Sequence, residues 1–150
     1  MRLRLLALLV TEAGLALTAA TSSLAAEPAG EPTILMGRVG GITDSEAILR
    51  GKLNPHGPRT FWHFEIGTTR AYTARTLRFG NEFPVAGEGF SGIEEPAFCL
   101  APRTRYHYRL VAVNGTGTFY GIDKTFKTKP WRGGSREFAY GECPHGKPMR

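Results

Sequence analysis

From Tyr106 to Asn114 the chain alternates: Tyr106, Tyr108, Leu110 and Ala112 form one apolar row, and His107 and Arg109 fall between them. A period of two puts successive side chains on opposite faces of a strand. Aromatic and β-branched residues suit a pleated, half-buried surface. Asn114-Gly115-Thr116-Gly117 follows, so a tight hairpin is expected, returning into a strand over Thr118–Thr128. Upstream, Trp62, Phe64 and Ile66 alternate with His63 and Glu65, and Ala47, Leu49, Gly51 and Leu53 alternate with Ile48, Arg50 and Lys52. Asn54-Pro55-His56-Gly57-Pro58 separates these two runs as a turn. Thr33–Val39 reads as a first strand ended by Gly40-Gly41, and Ala97–Leu100 as a short strand before a corner at Ala101–Thr104. From Arg70 to Gly92 the pattern weakens into edge strands and loops. About seven short strands with frequent turn signals predict an all-β, antiparallel β-sandwich.

The first 25 residues stand apart. Arg2 and Arg4 precede apolar runs at Leu5–Val10 and Ala13–Leu17, and Ser23-Leu24-Ala25 supplies small side chains at the exit. That is the layout of a secretory signal peptide over residues 1–25, too short and interrupted to span a bilayer. Glu12 is out of place in such a segment, since a carboxylate is costly among apolar residues. A linker over 26–31, a sandwich over 32–128 and an irregular tail over 129–150 complete the organisation. The mature chain is expected to be secreted or held at the cell surface, with no transmembrane span once the signal is removed.

Composition agrees with short strands and turns: 41% of the residues are hydrophobic, with 19 Gly and 10 Pro. The net charge of +6 is modestly basic. Much of it lies in the tail, where Lys129, Arg132, Arg136, Lys147 and Arg150 outnumber Glu137 and Glu142. Such a balance suits anionic polymers as well as plain solubility.

Several pieces together resemble a known family. Ala47–Pro55, Phe64-Glu65-Ile66-Gly67-Thr68-Thr69, Leu100-Ala101-Pro102 with Thr104-Arg105-Tyr106, the run Tyr106–Asn114, and Phe119-Tyr120-Gly121 with Phe126-Lys127-Thr128 are similar to the fibronectin type III domain of secreted and surface bacterial proteins. The resemblance covers residues 32–128. It implies a fibronectin type III or immunoglobulin-like β-sandwich, with Tyr106 as the corner tyrosine bonded back to backbone near Ala101–Arg103. It also puts Gly51 where many members carry a core tryptophan, a space that Trp62 is expected to fill. With Tyr106, Trp62, Phe64 and Leu110 are the expected structural core positions. The resemblance implies no catalytic residues and no cofactor.

Candidate chemistry is sparse. His63, Glu65, His107 and Arg109 are expected to share the outer face of one sheet. A histidine with Glu65 could act as an acid/base pair. A solvated Glu65–Arg109 ion pair worth less than about 1 kcal/mol is the plainer account. In an exported chain Cys99 and Cys143 could bridge. A metal site from Cys99, Cys143 and His145 lacks the paired spacing of zinc ligands, so no metal is expected. Asn114-Gly115-Thr116 fits the N-glycosylation pattern and is first of all a turn. Cationic and aromatic side chains mix in two segments: Arg70, Tyr72, Arg75 and Arg78, and Trp131, Arg132, Arg136 and Tyr140. These form the candidate binding surface, since aromatic faces and guanidinium forks together grip glycans and anions. The functional expectation is a non-catalytic adhesion or binding module for polysaccharide, an anionic envelope polymer or another surface protein, with nucleic acid not expected. A spacer domain without a ligand is the alternative, and a hydrolytic enzyme the least supported.

Overall fold

A computed structural model describes residues 30–76 and 83–133. Residues 1–29, with the expected signal peptide, and most of the tail, including Arg136, Tyr140 and Cys143, lie outside the described residues, as does Arg78.

Strict alternation of apolar residues builds two facing antiparallel sheets. The smaller one orders β1 (Thr33–Met36), β2 (Ala47–Asn54) and β6 (Ser91–Ala97). The larger one is built on β3 (Gly57–Gly67) and β7 (Arg105–Asn114), paired from Phe61↔Val113 to Gly67↔His107. Two short strands, β4 (Ala74–Arg75) and β5 (Val85–Gly87), pair with β3, and β8 (Gly117–Tyr120) and β9 (Lys124–Lys127) both pair with β7. The fold is thus an all-β sandwich. Nine strands are described rather than about seven, because β4 and β5 occupy the weakly patterned region and the last strand is divided.

Tyr106, Tyr108, Leu110 and Ala112 all face inward and are buried, as are Trp62, Phe64 and Ile66 opposite them on the same sheet. Leu49, Leu53 and Ile93 close the core from the smaller sheet. Phe126 stacks on Tyr106 at 5.7 Å and meets Tyr108 edge-on at 5.8 Å. The Tyr106 hydroxyl accepts a hydrogen bond from the Ala101 amide at 2.8 Å, fixing the corner. Thr128 holds the other side, donating to the Ala101 carbonyl at 2.6 Å and accepting from the Thr104 amide at 2.9 Å.

Four expectations change. The space at Gly51 is filled by Leu110 and Phe64, since a Cβ there would lie 3.1 Å from Leu110 Cδ2 and 3.8 Å from Phe64 Cζ. Trp62 instead packs edge-on against Phe64 at 6.4 Å and donates its indole N–H to the Phe83 carbonyl at 3.3 Å. Ala97–Leu100 is not a strand: β6 runs from Ser91 and stops at Ala97, because Cys99 turns the chain with φ 59°. β1 ends at Met36 rather than Val39, where Lys124 Nζ donates to the Met36 carbonyl at 2.7 Å and the Tyr108 hydroxyl to that of Gly37 at 3.0 Å.

The fourth change matters most for function. Thr118–Thr128 is not one strand. Val111 pairs with Tyr120 and Tyr108 with Lys124, so two residues of β7 face three, Gly121-Ile122-Asp123. This is a β-bulge, which re-aims the side chains that follow it. Gly121 fits because a Cβ there would lie 2.9 Å from Ile34 Cγ2 and from Met36 Sδ.

Candidate binding face

The outer face of the larger sheet begins as a strip of alternating polar residues on β3 and β7. Glu65 lies directly across from Arg109, and on its other side across from Arg75 of β4. Arg109 Nε and Nη2 both donate to Glu65 Oε2, each at 2.7 Å. The two side chains are only 26% and 25% exposed. Their shelter comes from aromatic rings: the Arg109 guanidinium sits 4.3 Å from the Tyr72 ring centroid and 4.1 Å from that of Tyr120. A cation between two ring faces is held by both quadrupoles, each contact contributing about 0.5–2 kcal/mol according to its desolvation.

Asp123 ties the strip together. Its carboxylate accepts from the Tyr72 hydroxyl at 2.7 Å, from His107 Nδ1 at 3.0 Å and from Arg70 Nε at 3.1 Å. The bulge makes this possible. In a regular strand Asp123 would stand opposite Tyr108 and face the core; one inserted residue turns it outward. Burial acts against the Asp123 carboxylate, yet the donors Tyr72, His107 and Arg70 hold its pKa below the ordinary value. Burial first, and then the bond to Asp123, push the Tyr72 phenol up to about 12, so it stays a donor. Burial also lowers the pKa of His63, with Glu65 opposing.

Tyr72 occupies this position with φ 46°, a left-handed conformation that a non-glycine residue adopts only when its surroundings impose it. The stack on Arg109 and the bond to Asp123 are the surroundings that do so.

Arg70 and Tyr72 therefore meet in one cluster, and Arg75 flanks it across Glu65. Trp131 and Arg132 follow Lys129, whose carbonyl accepts from the Arg103 amide at 3.0 Å; they leave the sheet at its His107 end. Arg132 lines a depression of about 320 Å³ there with Thr43, Asp44, Lys129 and Pro130. Asn114 is engaged in its turn: Oδ1 accepts from the Thr116 amide at 2.9 Å and Nδ2 donates to the Gly30 carbonyl at 2.9 Å. Among the described residues no cysteine is free and no group of acidic, histidine or cysteine side chains is arranged to hold a metal. Among the described residues there is no helix long and apolar enough to cross a membrane.

Sequence reasoning missed Asp123 and Tyr120. It placed Glu65 and Arg109 together but on a solvated face, whereas two tyrosines cover the pair. The missing signal is a parity break: Phe119 and Phe126 both point inward although seven positions apart, which no regular strand allows.

No family model matches the chain, and no curated protein matches it. Solved structures do share its shape. The sensor domain of the anti-sigma factor RsgI4 of Pseudobacteroides cellulosolvens superposes with a TM-score of 0.50 at 15% identity, over 67% of this chain and 96% of that one. Its solution structure gives 0.53 at 16% identity, over 76% and 87%. A fourth FNIII domain from human gives 0.46 at 14% identity, over 81% and 98%. At such identities the likeness is one of fold.

Proposed function

We propose that this chain is an exported, non-catalytic binding module of fibronectin type III-like fold, and that its outer Tyr72–Arg109–Tyr120 strip binds polysaccharide. The observation that carries this reading is the rigid stack: Arg109 is clamped between two rings while Tyr120 remains 56% exposed. A flat ring held in place by its neighbours loses little freedom when a sugar face settles on it. Arg70 adds a guanidinium fork beside it, 76% exposed and bonded through Nε to Asp123. Fold does not fix function, so the weight rests on this face.

The non-catalytic part of the reading rests on the same cluster. His107 and Asp123 have the separation of an acid/base pair, but the carboxylate is already shared with Tyr72 and Arg70. The export part rests on the amino-terminal signal pattern and would place Cys99 and Cys143 in a compartment where a disulfide between them persists.

Retention of the chain starting at Ala26 on a panel of insoluble polysaccharides tests the proposal. At least one should retain it, and Tyr120→Ala should weaken that retention about tenfold, the equivalent of about 1.4 kcal/mol. Retention by none of them would favour the spacer reading.

A further inference from the structure

Below the stack the same face changes character. Arg105 of β7 lies directly opposite Lys127 of β9, both exposed and both on the outer side. One step further, the Arg103 amide donates to the Lys129 carbonyl at 3.0 Å, which keeps the two backbones together past the strand ends, and both residues are exposed. Directly opposed residues in an antiparallel pair have Cβ atoms about 4.5–5.5 Å apart, and like charges there destabilise the sheet. Successive outward residues are about 7 Å apart along a strand. Arg105 and Lys127 thus share a small area, with Arg103 and Lys129 exposed at the chain turn beside them. Among the described residues none of the four side chains makes an ion pair or hydrogen bond. Arg103 moreover stands at φ 56°, where glycine would be least costly.

We propose that Arg103, Arg105, Lys127 and Lys129 form an anion-binding ladder for the acidic groups of a linear acidic polysaccharide. The inference rests on the polysaccharide reading above and extends it. His107, the next outward residue after Arg105, is bonded to Asp123 at the edge of the tyrosine stack. The ladder and the stack are therefore consecutive parts of one strip along β7. A polymer lying along that strand sets a sugar ring on Tyr120 and presents its carboxylates to the ladder. An acid group between Arg105 and Lys127 replaces their mutual repulsion with two attractions, and Arg supplies a forked donor that matches a carboxylate. The Tyr120 platform further along the same strand argues for a sugar polymer over other polyanions.

The probes are polygalacturonate, neutral dextran and double-stranded DNA, applied to the mature chain and to R105E, K127E and Tyr120→Ala. Polygalacturonate should bind, more weakly as salt rises, because screening shortens the reach of charge to roughly 8 Å at physiological ionic strength. R105E and K127E should each lose affinity about tenfold or more, a change of about 1.4 kcal/mol. R105E should also leave the denaturation midpoint unchanged or raised, because it turns a repelling pair into an attracting one. Loss of binding together with a lowered midpoint would make Arg105 a structural residue and overturn the proposal. So would unchanged affinity in K127E, or DNA bound as tightly as polygalacturonate. Lys127→Gln, which only removes a charge, should show a smaller loss in the same direction. If Tyr120→Ala alone weakens binding, the polysaccharide reading stands and the ladder fails; if only the charge reversals do, the stack is the part that fails.

Discussion

On the outside of each sheet an ion pair joins two directly opposed residues, and at the same distance. Arg50 and Glu94 meet at 2.7 Å on the smaller sheet, Arg109 and Glu65 at 2.7 Å on the larger. The first pair is 44% and 61% exposed, the second 26% and 25%. No ring is stacked on Arg50 among the described residues, whereas Arg109 has a tyrosine on each side. Distance therefore says little about what a pair does. The exposed pair can dissolve into water at little cost. The covered one is fixed, and it fixes the two tyrosines that sandwich it.

The largest expected effect belongs to what both faces share, the core beneath them. Phe64 is fully buried, so Phe64→Ala should destabilise the domain by about 3–5 kcal/mol in chemical denaturation. Such a loss would leave the contrast between the outer faces beyond reach, since both depend on the same sandwich. Tyr106→Phe should cost about 1–3 kcal/mol, because the Ala101 amide loses its buried acceptor. An unchanged midpoint would show that the corner is held by Thr128 alone.

The comparison itself is sharpened by two double-mutant cycles. Replacing Glu65 and Arg109 by alanine, singly and together, should give a coupling near 1 kcal/mol, at the upper end for ion pairs, because the rings exclude water from it. The same cycle on Arg50 and Glu94 should give less than about 0.5 kcal/mol and vanish at high salt. Equal couplings would erase the distinction drawn between the faces.

Smaller still is the response to pH. The folded pKa of Asp123 lies below its ordinary value, so its contribution is present above the unfolded pKa near 3.8 and lost as pH falls through the lower folded value. The pKa of His63 is likewise lowered from 6.5, so the unfolded chain binds a proton first and stability begins to fall as pH drops below about 6.5. Thermal midpoints measured from pH 8 to pH 3 should decline in two stages, and His63→Gln should remove only the upper one.

How much of this was legible follows from which contacts are local in pattern. The inward row Tyr106, Tyr108, Leu110 and Ala112 was readable because burial repeats every second residue and needs no partner to be named. The sandwich, the Tyr106 corner and the Glu65–Arg109 facing followed from that row and from the resemblance. The outward face resisted because its partners come from elsewhere in the chain: Tyr72 from the loop before β4, Tyr120 from β8, and Asp123 from a bulge. Nothing at Asp123 itself announces an outward carboxylate. Only the odd spacing of Phe119 and Phe126 betrays the inserted residue, and that becomes visible once both are known to face inward. Gly51 shows the same limit in the core: the sequence shows a missing side chain, and only packing shows that Leu110 and Phe64 fill it.

The most direct test of a binding face on the larger sheet is to titrate a soluble oligosaccharide from a retained polysaccharide into the labelled chain starting at Ala26 and map the backbone amide shifts. The perturbed amides should cluster at residues 70–72, 105–111 and 120–127, leaving β1, β2 and β6 unmoved. Shifts centred on the Arg50–Glu94 face, or none at saturating ligand, would contradict the account.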